Sequence, residues 1–206
     1  MRLGVFGGSF NPVHAGHLAL ARHAQSELNL DHVFFVPARQ SPLKPSQALM
    51  PAEFRLKLLA KALERSPGFS VSDCEIQRGG VSYTVDTLRF FSKQFGARAV
   101  IYFLCGADSL DQLDKWKSTD QIFGLCRFVA VTRPGFRWKE TGFPVIRLPM
   151  DPIDVSSSRI RARLKKGESL DSKNNRREGK HFGWSSKEKQ GNCTCWMLIH
   201  KPLSPP

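Results

Sequence analysis

The stretch GVFGGSFNPVHAGHL, residues 4–18, joins a short apolar segment to an amphipathic one. Gly7 and Gly8 permit a tight turn and the close approach of a ligand, because neither carries a Cβ atom. A helix that starts after such a turn presents unpaired N–H groups and a partial positive charge. His14 and His17 are three residues apart and therefore share one face of the first helical turn. We expect an anion-binding turn here.

Other roles for these residues compete with anion binding. A histidine at a helix start is often a capping or packing residue, and a pair three apart is compatible with a metal site. No third metal ligand is evident nearby in the sequence, so we expect no resident metal. The stretch matches neither the G-x-G-x-x-G fingerprint nor the P-loop motif, so the common nucleotide-binding motifs are absent.

Outward from this turn, the apolar pattern alternates between strands and helices. It predicts strands at 2–6, 31–38, 69–76, 99–105, 127–134 and 144–149, and helices at 15–28, 52–65, 82–95 and 157–166. Pro51 is expected at the first position of the second helix. The alternation predicts an α/β fold, Rossmann-like and doubly wound, with a largely parallel sheet and helices on both faces. Ligands bind such sheets at the carboxyl ends of the strands, where the opening turn lies.

Composition narrows the class of protein. The 206 residues suffice for one ordinary domain, and the net charge of +13 favours phosphate-rich partners, whether nucleotides, nucleic acids or anionic membranes. No signal-peptide pattern and no membrane-spanning apolar run is found. Cys105 and Cys126 lie in apolar runs and are predicted to be buried thiols, which is typical of the reducing cytoplasm.

Six motifs then follow one another along residues 1–170. They are GGSFNPVHAGHL (7–18), SPLKP (41–45), GGVSYTVDTL (79–88), GADSLDQLDKW (106–116), FVAVTRPG (128–135) and DVSSSRIRARLKKG (154–167). In this order they resemble the bacterial nicotinate-nucleotide adenylyltransferases, of the nucleotidyltransferase superfamily whose core motif is His-x-Gly-His. The resemblance implies that ATP and nicotinate mononucleotide react to deamido-NAD and pyrophosphate in NAD biosynthesis. Such a reaction depends on positioning and charge stabilisation rather than on a protein nucleophile.

The resemblance also implies an ATP site. Its catalytic group is expected to comprise His14, His17, Lys44 and Arg161. The full set of expected ATP contacts is Gly7, Gly8, Ser9, Phe10, His14, His17, Arg133, Ser156, Ser157, Ser158 and Arg161. Arg133 is expected against adenine, and Mg²⁺ is expected with ATP, held by phosphate oxygens and water. By residue type alone, a solvated surface lysine would be the favoured interpretation of Lys44.

For the acceptor nucleotide, the resemblance implies four residues. The backbone N–H groups of Tyr83 and Thr84, at a helix start, are expected to bind the nicotinate carboxylate. Trp116 is expected to stack on the pyridine, although most tryptophans simply pack in the core. Asp108 is expected at the ribose or nicotinate end of the site, and it also suits a helix cap.

The resemblance ends near residue 170. In the family, the basic helix is normally followed by a segment like V-P-x-x-V-x-x-Y-I and a closing helix, whereas this chain reads GESLDSKNNRREG at 167–179. We therefore divide the chain into a nucleotidyltransferase domain, 1–170, and an atypical basic tail, 171–206, expected to be poorly ordered. A lineage-specific extension and a changed reading frame near Leu170 both remain open.

Three other functions remain to be tested. The first is adenylyl transfer to nicotinamide mononucleotide or to phosphopantetheine instead of the nicotinate compound. The second is nucleic-acid binding by the basic surface, although neither zinc-finger spacing nor an RRM motif is present. The third is a homologue that binds nucleotide without turnover. We expect small-molecule substrates, no specific nucleic acid and no membrane, and the oligomeric state is left open.

Overall fold

The computed structural model of the protein describes residues 1–43, 49–132, 141–151 and 153–168. The chain divides into two units, Met1–Asp154 and Val155–Pro206. The predicted site residues Lys44 and Arg133, and the predicted tail 171–206, lie outside the described residues.

The first unit alternates strands with helices, as the apolar pattern predicts. The strands are β1 (Arg2–Gly8), β2 (His32–Pro37), β3 (Phe69–Val71), β4 (Val100–Gly106), β5 (Arg127–Thr132) and β6 (Val145–Pro149). The α-helices are α1 (Ala15–Glu27), α2 (Ala52–Leu63), α3 (Cys74–Arg78), α4 (Thr84–Phe95) and α5 (Thr119–Leu125). Two 3-10 helices, Gly96–Arg98 and Ala107–Lys115, flank β4.

The six strands form one parallel sheet in the order β3-β2-β1-β4-β5-β6. The direction of winding reverses between β1 and β4, and the crevice at such a reversal is where ligands bind in doubly wound sheets. Side chains alternate between the two faces of a strand. Val5 belongs to the core beneath α4 and α5, whereas its neighbour Phe6 contacts His17 of α1. Helices therefore cover both faces, which confirms the predicted fold class.

One predicted strand is wrong in its second half. The segment 69–76 is a strand only as far as Val71, and Cys74–Arg78 is a short helix. The adjacent side chains of Cys74 and Glu75 are both buried, which the alternating faces of a strand would not allow. Gly79 ends the helix at φ +74°, in the left-handed region.

Two smaller predictions need adjustment. Pro51 occupies the cap position of α2, one residue before the first helical position expected for it. Cys105 is buried as predicted, but Cys126 is only half-buried. Within the described ranges, no helix is both long and apolar enough to cross a bilayer.

The second unit contains helix α6, Ser157–Lys165. Ser156 caps it, since the Ser156 Oγ accepts a hydrogen bond from the Arg159 N–H at 3.3 Å. This is the usual geometry of a serine at a helix start, where it satisfies one of the unpaired N–H groups.

Candidate active site

The turn between β1 and α1 is held from below by aromatic packing. Phe10 is fully buried, and its φ of +42° lies in the left-handed region that few non-glycine residues adopt. A Cβ added at Gly8 would lie 3.2 Å from the Phe10 ring, and one at Gly7 would lie 3.1 Å from the ring of Phe103. A side chain at either glycine would therefore press on an aromatic ring, so the packing also favours glycine here. This packing role adds to the tight turn and the ligand approach that the sequence predicts for them.

The two histidines are fixed against each other at the start of α1. The backbone N–H of His14, at the cap position, donates to His17 Nδ1 at 3.2 Å. The two rings stack at 3.7 Å between centroids, and the Phe10 ring lies 5.0 Å from the ring of His17. Because Nδ1 accepts a hydrogen bond, the neutral His17 ring carries its proton on Nε2. His17 is half-buried, so the turn offers this ring as a positioned donor.

A buried arginine that the sequence analysis did not single out lies behind this turn. Arg55 of α2 is 1% exposed, and its guanidinium donates to the carbonyl oxygens of Met50 (3.0 Å), Ser9 (2.9 Å) and Ala38 (2.7 Å). Burial lowers the pKa of Arg55, and repulsion from Arg39 lowers it further. A signal was present in the sequence. Arg55 lies one turn before Leu59 on the apolar face of its helix, where a charged residue is unusual.

Of the predicted acceptor contacts, Tyr83 and Thr84 lie at the start of α4, and Tyr83 and Trp116 pack against the same core cluster. Tyr83 holds the cap position and Thr84 is the first helical residue, so their N–H groups have no intrahelical partner. The Lys117 ammonium, from the residue that follows Trp116, lies 4.4 Å from the centre of the Tyr83 ring.

The ring of Trp116 packs in the core, but its indole N–H group is unsatisfied. It is half-buried, with its ring edge-on to Phe103 at 5.9 Å and to Phe128 at 5.7 Å. Its indole N–H is buried and finds no hydrogen-bond partner in the part of the chain that the structure describes. A buried donor without a partner costs about 1–3 kcal/mol. Such a group is therefore a candidate contact for a ligand.

Asp108 is exposed just after the carboxyl end of β4, in the 3-10 helix that follows this strand. The cap position of the following 3-10 helix belongs to Gly106, and no side chain caps it, so the alternative capping role of Asp108 is not seen. A Cβ added at Gly106 would lie 2.5 Å from Asp108 Oδ1. The carboxylate thus folds back over the strand end, and only glycine at 106 leaves it that space.

A buried carboxyl supports the helix start that carries Tyr83. Glu75 is 6% exposed and accepts a hydrogen bond from the Thr87 hydroxyl. Burial raises the pKa of Glu75 above its ordinary value, although hydrogen bonds from Thr87 and Ser82 oppose the shift. Ser82 Oγ in turn accepts from the Arg39 N–H at 2.8 Å. This network ties α3, α4 and the segment after β2 together, and no local sequence pattern predicts it.

A cavity of about 580 Å³ opens at the ends of β5 and β6. Its lining residues are Ala19, His23, Thr132, Pro149, Met150, Asp151 and Ile153. His23 of α1 closes one side, with its Nε2 2.7 Å from the carbonyl oxygen of Pro149. Thr132 immediately precedes Arg133, the residue expected against adenine, which lies outside the described residues.

The predicted phosphate residues of the second unit form a local cluster at the start of α6. Ser156 is the cap, Ser157 and Ser158 are the first helical residues, and Arg161 Nη2 donates to Ser158 Oγ at 3.2 Å. Hydroxyl groups, helix-start N–H groups and a guanidinium are thus gathered within two turns, a donor set suited to phosphate oxygens.

Comparisons with known proteins agree on one family. Residues 5–163 match the cytidylyltransferase-like family model. A protein of Opitutus terrae named as a probable nicotinate-nucleotide adenylyltransferase is 41% identical over 175 residues, covering 83% of this chain and 89% of that protein. A Thermus thermophilus protein of the same name is 42% identical over 170 residues, covering 82% and 90%.

Solved structures show the same fold at lower sequence identity. Nicotinic acid mononucleotide adenylyltransferase of Plasmodium falciparum, complexed with NaAD, superposes with a TM-score of 0.66 at 20% identity. The match covers 81% of this chain and 85% of that one. A putative nicotinate-nucleotide adenylyltransferase from Vibrio parahaemolyticus superposes with a TM-score of 0.58, also at 20% identity, over 81% and 82% of the two chains.

Proposed function

The chain belongs to the nicotinate-nucleotide adenylyltransferases of the cytidylyltransferase-like family. On that basis we propose a role for each predicted site residue in the reaction of ATP with nicotinate mononucleotide. The reaction transfers the adenylyl group of ATP and serves NAD biosynthesis. The mononucleotide phosphate attacks the α-phosphorus of ATP, the bond to the β-phosphate breaks, and deamido-NAD and pyrophosphate leave.

The opening turn stabilises the phosphates during this transfer. The observation that carries the proposal is the His14 N–H bond to His17 Nδ1, which leaves Nε2–H as the donor of His17. That donor, together with the helix-start N–H groups of α1, meets charge that develops on the triphosphate. We assign Gly7, Gly8, Ser9, Phe10 and His14 to the same contact surface, and Lys44 and Arg161 to the neutralisation of the leaving pyrophosphate.

The cluster at the start of α6 is a second phosphate contact. Ser156, Ser157, Ser158 and Arg161 offer hydroxyl, N–H and guanidinium donors in one short segment. A guanidinium matches two phosphate oxygens at once, which a lysine does not.

The acceptor binds at the start of α4. We propose that the N–H groups of Tyr83 and Thr84 receive the nicotinate carboxylate, which the helix dipole favours over a neutral amide. Trp116 then borders the pyridine, and its unsatisfied N–H is available to the acceptor. Asp108, exposed at the end of β4, suits the ribose hydroxyls as an acceptor of hydrogen bonds.

The adenine ring fits the cavity at the ends of β5 and β6. The volume of about 580 Å³ is adequate for a base, and the lining mixes apolar side chains with a few polar groups. Arg133 follows Thr132 directly and is proposed to lie against the ring.

The family uses ATP, and we propose Mg²⁺ as its metal ion. In the described segments of the chain, no three His, Cys, Asp or Glu side chains lie close enough to hold a metal. Mg²⁺ prefers oxygen ligands and keeps several waters, so phosphate oxygens would supply most of its coordination. When bound, the ion would neutralise charge on the triphosphate. His14 and His17 are proposed to orient the phosphates, and Arg161 is proposed as a further phosphate contact.

We propose that residues 1–170 carry the activity and that the enzyme works in the cytoplasm. The family model ends at residue 163, before the predicted tail. Cys74, Cys105 and Cys126 are free thiols, as expected of a reducing compartment. A chain truncated after residue 170 should keep its rate if the tail takes no part.

Pyrophosphate release tests the assignment directly. The enzyme is supplied with ATP and, separately, nicotinate mononucleotide, nicotinamide mononucleotide or phosphopantetheine. We expect the acid to react fastest, and His17→Ala to lower kcat by about 10²–10³, the usual loss when one transition-state donor is removed. Preference for the amide would overturn the carboxylate site, and an unchanged rate in His17→Ala would remove the role of the opening turn.

A further inference from the structure

We propose that Arg55 is a positioning residue for adenylyl transfer, acting through the backbone of the opening turn. The inference rests on the proposed role of that turn in phosphate binding. Arg55 reaches the turn from α2 by a hydrogen bond to the Ser9 carbonyl at 2.9 Å, while the same Nη1 bonds the Ala38 carbonyl at 2.7 Å. One guanidinium thus joins the loop after β1 to the loop after β2.

The bond to Ser9 orients a peptide group. In a trans peptide the C=O and the following N–H point in opposite directions. Arg55 holds the Ser9 carbonyl on the buried side, so the Phe10 N–H is directed to the other side of the turn. A carbonyl that accepts from a charged donor is polarised, and the N–H of the same peptide becomes a better donor.

The conformation at this point needs support. Phe10 has a φ of +42°, a region that a phenylalanine occupies only when its surroundings hold it there. Two of these supports are visible, the aromatic contacts of the Phe10 ring and the hydrogen bond of Arg55 to the residue before it. Of these two supports, the hydrogen bond from Arg55 is the one that acts on the backbone, since it binds the Ser9 carbonyl.

Among the residues that the structure describes, no carboxylate pairs with the charge of Arg55. Its three acceptors in the described chain are neutral backbone carbonyls, and the one charged group that perturbs it is the like-charged Arg39. A buried cation with only dipoles around it favours a nearby anion. The polyphosphate of ATP is such an anion, and ATP binding should therefore stabilise the wild-type protein more than a variant without this charge.

The test compares Arg55→Met and Arg55→Lys with Leu59→Ala. Leu59 is fully buried one turn further along the same helix, so its truncation weakens the packing of α2 without removing a contact to the turn. Each variant is assayed for pyrophosphate release at a temperature where thermal melting shows it folded. The shift of Tm on adding ATP is measured in parallel.

Arg55→Met should lower kcat by about 30- to 100-fold, as expected for a misplaced catalytic turn, and should reduce the ATP-induced Tm shift. Leu59→Ala should stay within about threefold of wild type in kcat and keep the shift, although it is less stable. Arg55→Lys keeps the charge but not the fork of donors, so it should recover part of kcat, leaving a loss of about five- to tenfold.

The inference is overturned if Arg55→Met, while folded, keeps kcat within threefold, or if Leu59→Ala loses as much kcat as Arg55→Met. Should Arg55→Met not fold, Arg55→Lys decides, and a wild-type kcat in that variant rejects the positioning role. His17→Ala separates the two ideas. If it keeps its rate, the proposed phosphate turn fails. If it loses its rate while Arg55→Met does not, only the role of Arg55 fails.

Discussion

The turns that follow β1 and β4 leave the same edge of the sheet from adjacent strands, but they are built differently. The first, Gly7–His17, has a buried interior of Phe10 and Asn11 and is held from behind by Arg55. The second, Gly106–Trp116, also packs into the core through Leu110 and Leu113, but it places the exposed Asp108 over a glycine. The first turn is thus held by a buried ring and a buried guanidinium, whereas the second presents a carboxylate whose position depends on the space above one glycine.

This difference predicts that core substitutions damage the first turn most. Phe10→Ala removes a fully buried ring and should lower the free energy of unfolding by about 3 kcal/mol. Because the Phe10 ring also supports His17, kcat should fall more than about tenfold at temperatures where the variant is folded. Urea unfolding and pyrophosphate release measure the two effects.

Ile122→Ala is the matched control, since Ile122 is fully buried in α5, away from this turn. It should lose comparable stability and keep kcat within about threefold. Equal losses of kcat in the two variants would show that general stability, rather than the aromatic support, governs the first turn.

On the second turn, a methyl group should affect binding without affecting stability. In Gly106→Ala the added Cβ meets only the far end of the Asp108 side chain, which can swing away. We expect Tm to change little and the KM for nicotinate mononucleotide to rise about tenfold, the worth of one charged hydrogen bond. Gly124→Ala, whose Cβ would meet nothing within 4 Å, should leave KM unchanged. An unaltered KM in Gly106→Ala would remove Asp108 from the acceptor site.

The support of the acceptor side by Glu75 should appear as a pH dependence of stability. The pKa of Glu75 is raised above its ordinary 4.5, so the folded state keeps a proton that the unfolded state releases. Its contribution is therefore greatest below that ordinary value and declines as pH rises through the folded-state pKa. Arg78 and Asp86 also act on this carboxyl, with opposite signs.

Glu75→Gln removes this titration while keeping an acceptor for Thr87. Urea unfolding is measured from pH 5 to pH 8. Over this range the free energy of unfolding of wild type should fall relative to that of Glu75→Gln. The fall should be smaller than the loss of unfolding free energy expected for Phe10→Ala. A difference between the two proteins that stays constant over that range would mean that the carboxyl titrates alike in the folded and unfolded chains.

The smallest expected effect concerns two thiols, Cys105 in β4 beside the second turn and Cys126 just before β5. Burial raises the pKa of Cys105, and it raises the pKa of Cys126 to about 12. Since the thiolate is the reactive form, neither should react with iodoacetamide at pH 8 in the native protein, and both should react in urea. Peptide mapping by mass spectrometry reads each site separately. Native labelling of Cys105 would show that the second turn opens far more readily than its contacts indicate.

Local patterns predicted most of the fold. The apolar run of β4 is a buried central strand because both faces of a parallel sheet are covered, and the sequence shows that directly. Residues 74–76 were predicted wrongly because a short helix with buried Cys74 and Glu75 has too few residues to show a helical period. The site was predicted as a set of motifs, but not as a set of contacts.

By itself, the sequence determined the alternation of strands and helices and the likeness to one family of adenylyltransferases, and it predicted the anion-binding character of the first turn. These follow from local spacing and residue type, which a single chain displays. Only the tertiary structure decided that Gly7 and Gly8 make room for Phe103 and Phe10, and that Arg55 and Glu75 support the two sides of the crevice. Those contacts join residues far apart in the chain, and burial, which sets their energies, exists only once the sheet has formed.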